Sequence, residues 1–230
     1  MNFLTPKDPG HFPALPRPIL ILVFLSLPLF SAAHMIVKEL ENMTATDTAW
    51  VYLGIGFRHI LPLGLDHIFF ILSLFLLSPN IKYVLLQSTA FTLAHSITLG
   101  LSMYHIINPP SRIIEPLIAL SIVYVAMENI LSPKLKPSRL VIIFIFGLVH
   151  GMGFAGALAQ LGLPKDAFLL SLLMFNVGVE LGQVTVIALA FILVNRFSKN
   201  SSLYKQRIVW PVSLFIALVA GFWTIQRLFF

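Results

Sequence analysis

Gly64-Leu65-Asp66-His67-Ile68-Phe69-Phe70-Ile71-Leu72-Ser73-Leu74-Phe75-Leu76-Leu77 places an acid and a histidine at the head of a long apolar run. Ionisable groups are costly in hydrocarbon, and those that occur there face a partner, an ion or a water-filled cavity. Three further apolar segments carry polar clusters of the same kind: Thr92-Leu93-Ala94-His95-Ser96, His150-Gly151-Met152-Gly153, and Asn176-Val177-Gly178-Val179-Glu180-Leu181-Gly182-Gln183. Four clusters on four separate segments point to one polar site inside a membrane helix bundle.

The composition agrees. The chain is 58% hydrophobic and 10% charged, against about 25% charged in a soluble domain, and its mean hydropathy is +0.92. Long Leu, Ile, Val and Phe runs favour helices over a barrel, whose strands alternate in segments of about ten residues. The chain has no cysteine, which excludes disulfides, thiolate metal sites and a cysteine nucleophile. The net charge of +6 comes mostly from short loops, so it orients a membrane protein and implies no nucleic-acid partner.

Spans need about 20 apolar residues and fall near 18–34, 50–78, 83–105, 112–131, 139–161, 166–195 and 208–228. The expected fold is an all-α polytopic membrane helix bundle. It has six core transmembrane helices in a domain over 34–230, after an N-terminal signal or anchor helix within 1–33. Pro62 is expected to kink the 50–78 span or to split it. No internal repeat is visible, so an inverted-repeat transporter is not supported. Lys82, Lys134, Lys136, Arg139, Arg196, Lys199, Lys205 and Arg207 fall on one side of the bundle, against Lys38, Arg112, Lys165 and Arg227 on the other. The basic excess marks the first side as cytoplasmic and puts the C-terminus outside.

Arg17, the apolar run Ile19 to Phe30 and Ser31-Ala32-Ala33 have the form of a signal peptide with a small-residue cleavage site. Cleavage after Ala33 would expose His34, whose amine and imidazole could capture a metal; retention would leave an anchor helix.

At about 1.5 Å of rise per residue, His67, His95, His150, Asn176 and Glu180 all lie roughly 15–25 Å deep in a ~30 Å hydrocarbon core. Three imidazoles and a carboxylate near one plane suit a divalent transition metal. Candidate metal residues are therefore His67, His95, His150, Asp66, Asn176 and Glu180, with His59 nearer the outer face as a relay. Asp66 cannot ligate in the same helical direction as His67, and orients another histidine or stays protonated. Ser96 and Thr98 are equally suited to bonding backbone carbonyls. Gly151, Gly153, Gly156, Gly178 and Gly182 read as close helix packing. Glu115 and Arg112 are expected to be solvated at the outer boundary, as is Arg58 unless an acid pairs with it, and Glu128 is a candidate either for the interface or for the site.

Five motifs in order, spanning about residues 50–228, resemble the HupE/UreJ family of bacterial membrane proteins: His59-Ile60-Leu61-Pro62-Leu63-Gly64-Leu65-Asp66-His67, Phe91-Thr92-Leu93-Ala94-His95-Ser96, Glu115-Pro116-Leu117-Ile118-Ala119-Leu120-Ser121, Phe146-Gly147-Leu148-Val149-His150-Gly151 and Phe175-Asn176-Val177-Gly178-Val179-Glu180-Leu181-Gly182-Gln183. The resemblance implies a multi-pass inner-membrane protein linked to nickel supply for hydrogenase or urease. This chain departs from the better-studied hydrogenase-linked branch. Six residues separate His59 from Asp66 where that branch has five, and Gly147 and Gly153 stand where it has a histidine and a glutamate. The chain therefore resembles a second branch of the family.

Two functions from different classes fit these residues. One is a permease for a divalent metal, nickel or cobalt. The other is an intramembrane zinc-dependent hydrolase acting on a lipid or membrane-anchored substrate, which by residue type alone resembles the ceramidase-like superfamily. There a three-histidine zinc leaves one position for water, and Asp66, Ser96 and Glu180 are the candidate catalytic residues. A third possibility is an assembly protein whose polar plane only joins helices.

Overall fold

The computed structural model describes residues 44–78, 80–131, 137–161, 167–198 and 201–230. The expected leader, its cleavage site and His34 lie outside these residues, as do Lys134, Lys136, Lys165 and Lys199. No strand occurs among the described residues. The helices are α1 (Ala45–Ile60), α2 (Leu65–Leu77), α3 (Ile81–Met103), α4 (Ser111–Leu131), α5 (Arg139–Leu161) and α6 (Phe168–Ser198). One turn, Ser201–Tyr204, and a π-helical stretch, Lys205–Val209, then lead into α7 (Trp210–Phe229). Five helical segments are long and apolar enough to cross a membrane, and α1 with α2 makes a sixth span bent by 67°. The six core spans read from the sequence are thus present, and the chain is a multi-pass membrane protein.

Local signals fix the ends. Thr44 Oγ1 accepts the Asp47 amide at 3.2 Å and donates to the Asp47 carboxylate at 2.6 Å, closing the start of α1. Asn80 caps α3 through the Tyr83 amide. At the far end of α3, the Ile106 amide bonds the Leu101 carbonyl and the His105 amide bonds Ser102. His105 takes a φ of 57°, the left-handed stop that satisfies the last carbonyls. Outside the bundle, Leu86, Leu93 and Ile97 on α3 and Leu214, Leu218, Phe222 and Ile225 on α7 are exposed, the apolar faces a bilayer would cover.

Three extensive pairings build the bundle: α3 with α5, α1 with α6, and α4 with α7. The short α2 lies among them, touching α3, α4, α6 and α7. Glycines allow close approaches in two of these pairings. A Cβ at Gly151 would collide with the His95 carbonyl and the Thr98 hydroxyl, and one at Gly178 with the Leu53 carbonyl. Without side chains there, the backbones meet directly, the usual solution where lipid supplies no hydrophobic drive between helices. The packing expected at Gly153 and Gly182 is also found, against Ile118 and Ile60 respectively, but Gly156 faces open space. Gly147 is as closely packed. Its Cβ position lies 2.5 Å from the Phe91 carbonyl oxygen, so a histidine there would force α3 and α5 apart.

Candidate functional site

The site is made by the break between α1 and α2. Pro62 has no N–H to continue α1, and the chain turns through Leu61–Gly64, with the Gly64 amide on the Ile60 carbonyl at 3.1 Å. Gly64 packs on the His59 carbonyl so closely that a Cβ would not fit. In one continuous helix, residues eight apart are separated by about 12 Å along the axis. Across the break, the rings of His59 and His67 have centroids 4.6 Å apart.

His95 enters from α3, its ring 5.9 Å from those of both His59 and His67. One ligand nitrogen from each of His59, His67 and His95 can be chosen so that all three lie within 4.8 Å of one another. In a tetrahedral site with bonds of 2.0–2.1 Å the nitrogens stand about 3.4 Å apart, so a closure on the order of 1 Å would seat an ion. His150 lies beside the trio, 5.1 Å ring to ring from His67, with its Nε2 2.9 Å from Ser121 Oγ. The sequence singles out His67, His95 and His150 and leaves His59 as an outer relay. In the structure His59 is in the tightest set and His150 is its neighbour, because the break folds His59 back over α2.

The rings are boxed by phenylalanines. Phe154 and Phe175 stack on each other and flank His59, and Phe70 and Phe91 cover His150. In this apolar box His59 Nε2, His67 Nε2, both nitrogens of His95 and His150 Nδ1 are buried without a hydrogen-bond partner. Buried polar atoms are nearly always paired, so five bare ring nitrogens in one cluster point to a ligand that supplies the missing bonds.

Above the cluster is a cavity of about 760 Å³ lined by Arg58, His59, Asp66, His67, Glu115, His150, Trp223 and Arg227. Glu115 is near the start of α4 and Arg227 near the end of α7, so the cavity opens at that end of the bundle; His95 lies behind its floor. Glu115 and Arg58 are exposed, as expected.

The other candidates each have a hydrogen-bond or ion-pair partner outside the trio. Asp66 is ion-paired to Arg227 at 2.9 Å, and Arg227 also donates to the Glu115 carbonyl at 3.2 Å and lies over the Trp223 ring. Asp66 thus ties α7 to the head of α2. Glu180 accepts from Thr89 Oγ1 at 2.7 Å, and Asn176 donates to the Leu172 carbonyl at 2.8 Å. Ser96 Oγ donates to the Thr92 carbonyl at 2.6 Å, the backbone-bonding role. Glu128 is ion-paired to Arg139 at 3.4 Å, and Arg139 is 1% exposed. It is therefore a buried partner and not the free loop charge that its position suggests.

Sequence reasoning passed over Ser121, Arg227 and the phenylalanine box. Ser121 closes the Glu115–Ser121 motif, and its depth on α4 is the signal that pairs it with His150. The phenylalanines carry no such signal among 20 of their kind.

The sequence model of the HupE / UreJ protein family matches residues 29–227. Comparison with curated proteins and with solved structures found no match. A match that spans nearly the whole chain, from before α1 to the last turn of α7, places this protein in the HupE / UreJ family.

Proposed function

We propose that this protein is a permease for a divalent transition metal, nickel or cobalt, in the bacterial inner membrane. The observation that carries this reading is the trio His59, His67 and His95, contributed by three helices, with ligand nitrogens within 4.8 Å of one another, of which His59 and His67 line an open cavity. Imidazole donors suit borderline Ni²⁺ and Co²⁺. The basic bias of the loops persists when the ion-paired Arg139 and Arg227 are set aside. It puts the cavity mouth and the C-terminus on the extracytoplasmic side. The ion then enters the vestibule, meets His59 and His67, and passes inward to His95. His150, held by Ser121, borders the same path.

The test is uptake of radioactive nickel or cobalt into proteoliposomes. His67→Ala and His95→Ala should abolish flux, because an incomplete ligand set cannot replace the ion's hydration shell. Glu115→Gln should leave most of it. Equal flux in all variants would mean leakage and reject the reading.

A zinc-dependent hydrolase is the second reading, favoured by the size of the vestibule, which would admit a lipid headgroup. Against it, Asp66 is ion-paired to Arg227 and Ser96 donates to a backbone carbonyl, which leaves Glu180 as the remaining candidate base. One tightly held zinc per chain with no metal flux would promote it.

A further inference from the structure

Behind the histidines, on the side away from the vestibule, lies a second buried polar group. Gln183 of α6 is 0% exposed. Its Oε1 accepts from Ser88 Oγ, and from Thr92 Oγ1 at 3.0 Å, while its Nε2 is buried without a partner. Turning the amide over exchanges the two atoms, so one of them remains bare in either orientation. Thr92 and Ser88 precede His95 by three and seven residues, on one face of α3. They step away from it by about 4.5 and 10.5 Å along the axis, toward the start of the helix. Beside them, Glu180 takes a hydrogen bond from Thr89 and leaves its Oε2 buried and unpartnered.

We propose that Gln183, Ser88 and Thr92, flanked by the Glu180 carboxylate, form a second cation station of oxygen ligands through which the metal leaves the histidine cluster toward the inner face. The proposal rests on the permease reading. On the side away from the vestibule, this group is the next buried polar cluster along α3 from His95. Conduction needs sites weak enough to release what they admit. Neutral oxygens hold Ni²⁺ and Co²⁺ more loosely than imidazole does, so a station of amide and hydroxyl oxygens one turn from His95 lets the ion change ligands in steps.

The experiment uses the full chain in proteoliposomes with Co²⁺ as the probe, and reads equilibrium binding and initial flux separately. Gln183→Leu should keep Co²⁺ binding within about threefold while flux falls roughly tenfold or more, a barrier rise on the order of 1.4 kcal/mol. Gln183→Glu, which restores an oxygen ligand, should recover flux. If Gln183→Leu does not fold, Ser88→Ala decides: slowed flux with intact binding supports the station, and unchanged flux overturns it. Wild-type flux in a folded Gln183→Leu also overturns the station and leaves the permease reading standing. Wild-type protein that binds Co²⁺ and conducts none removes both.

Discussion

The two ends of α2 each carry a buried polar cluster, and they differ in what their atoms face. At its tail, Asn129 Nδ2 donates to the Ser73 carbonyl at 2.9 Å and to Ser213 Oγ at 3.1 Å, and the Tyr204 hydroxyl donates to the Leu76 carbonyl. Donors meet acceptors there, and α2, α4 and α7 are tied together, although Ser73 Oγ and Asn129 Oδ1 go unused. At its head, ring nitrogens of His59, His67 and His95 crowd one another with no partner. A cluster whose donors reach acceptors on neighbouring helices holds those helices together. A cluster whose ligand-type atoms converge on one another needs something between them.

This contrast can be broken by substitution. The largest effect is expected at Gly151, whose absent side chain allows α3 and α5 to touch beneath His95. Gly151→Leu should destabilise the protein by about 3 kcal/mol or more and abolish metal binding by moving His95 and His150 apart, read by thermal melting and Co²⁺ titration. Asn129→Ala should cost about 1–3 kcal/mol in stability with metal affinity unchanged. A loss of affinity there would erase the distinction between the two ends. Asp66→Asn should have the smallest effect. Its pair with Arg227 is about one-fifth exposed on each side, so the stability loss should be about 1 kcal/mol or less. Metal affinity should fall by less than tenfold, below the 10–100-fold typical of groups that orient a ligand.

The spans were legible because apolar length reports helix position directly, and α3 to α7 begin and end within a few residues of the apolar runs. His67, His95 and His150 were legible because a histidine inside such a run stands out. The composition of the closest trio was not. It depends on how sharply the chain turns at Leu61–Gly64, and residue spacing alone does not bring His59 beside His67. Glu180 and Asn176 share a helix and a depth with the site, yet bond Thr89 and the Leu172 carbonyl, since depth does not specify rotation about the helix axis. Arg139 and Arg227 look like loop charges because they sit at helix ends. Their long side chains reach back to Glu128 and Asp66, a reach that a count of basic residues ignores.

X-ray absorption of the purified full chain loaded with one equivalent of Ni²⁺ or Co²⁺ tests the central claim most directly. The account predicts imidazole nitrogens from three histidines in the first coordination shell, near 2.1 Å. That signal should be lost in His67→Ala and retained in Asn129→Ala. A shell made only of oxygen, or a nitrogen shell that survives replacement of His59, His67 and His95 together, would contradict it.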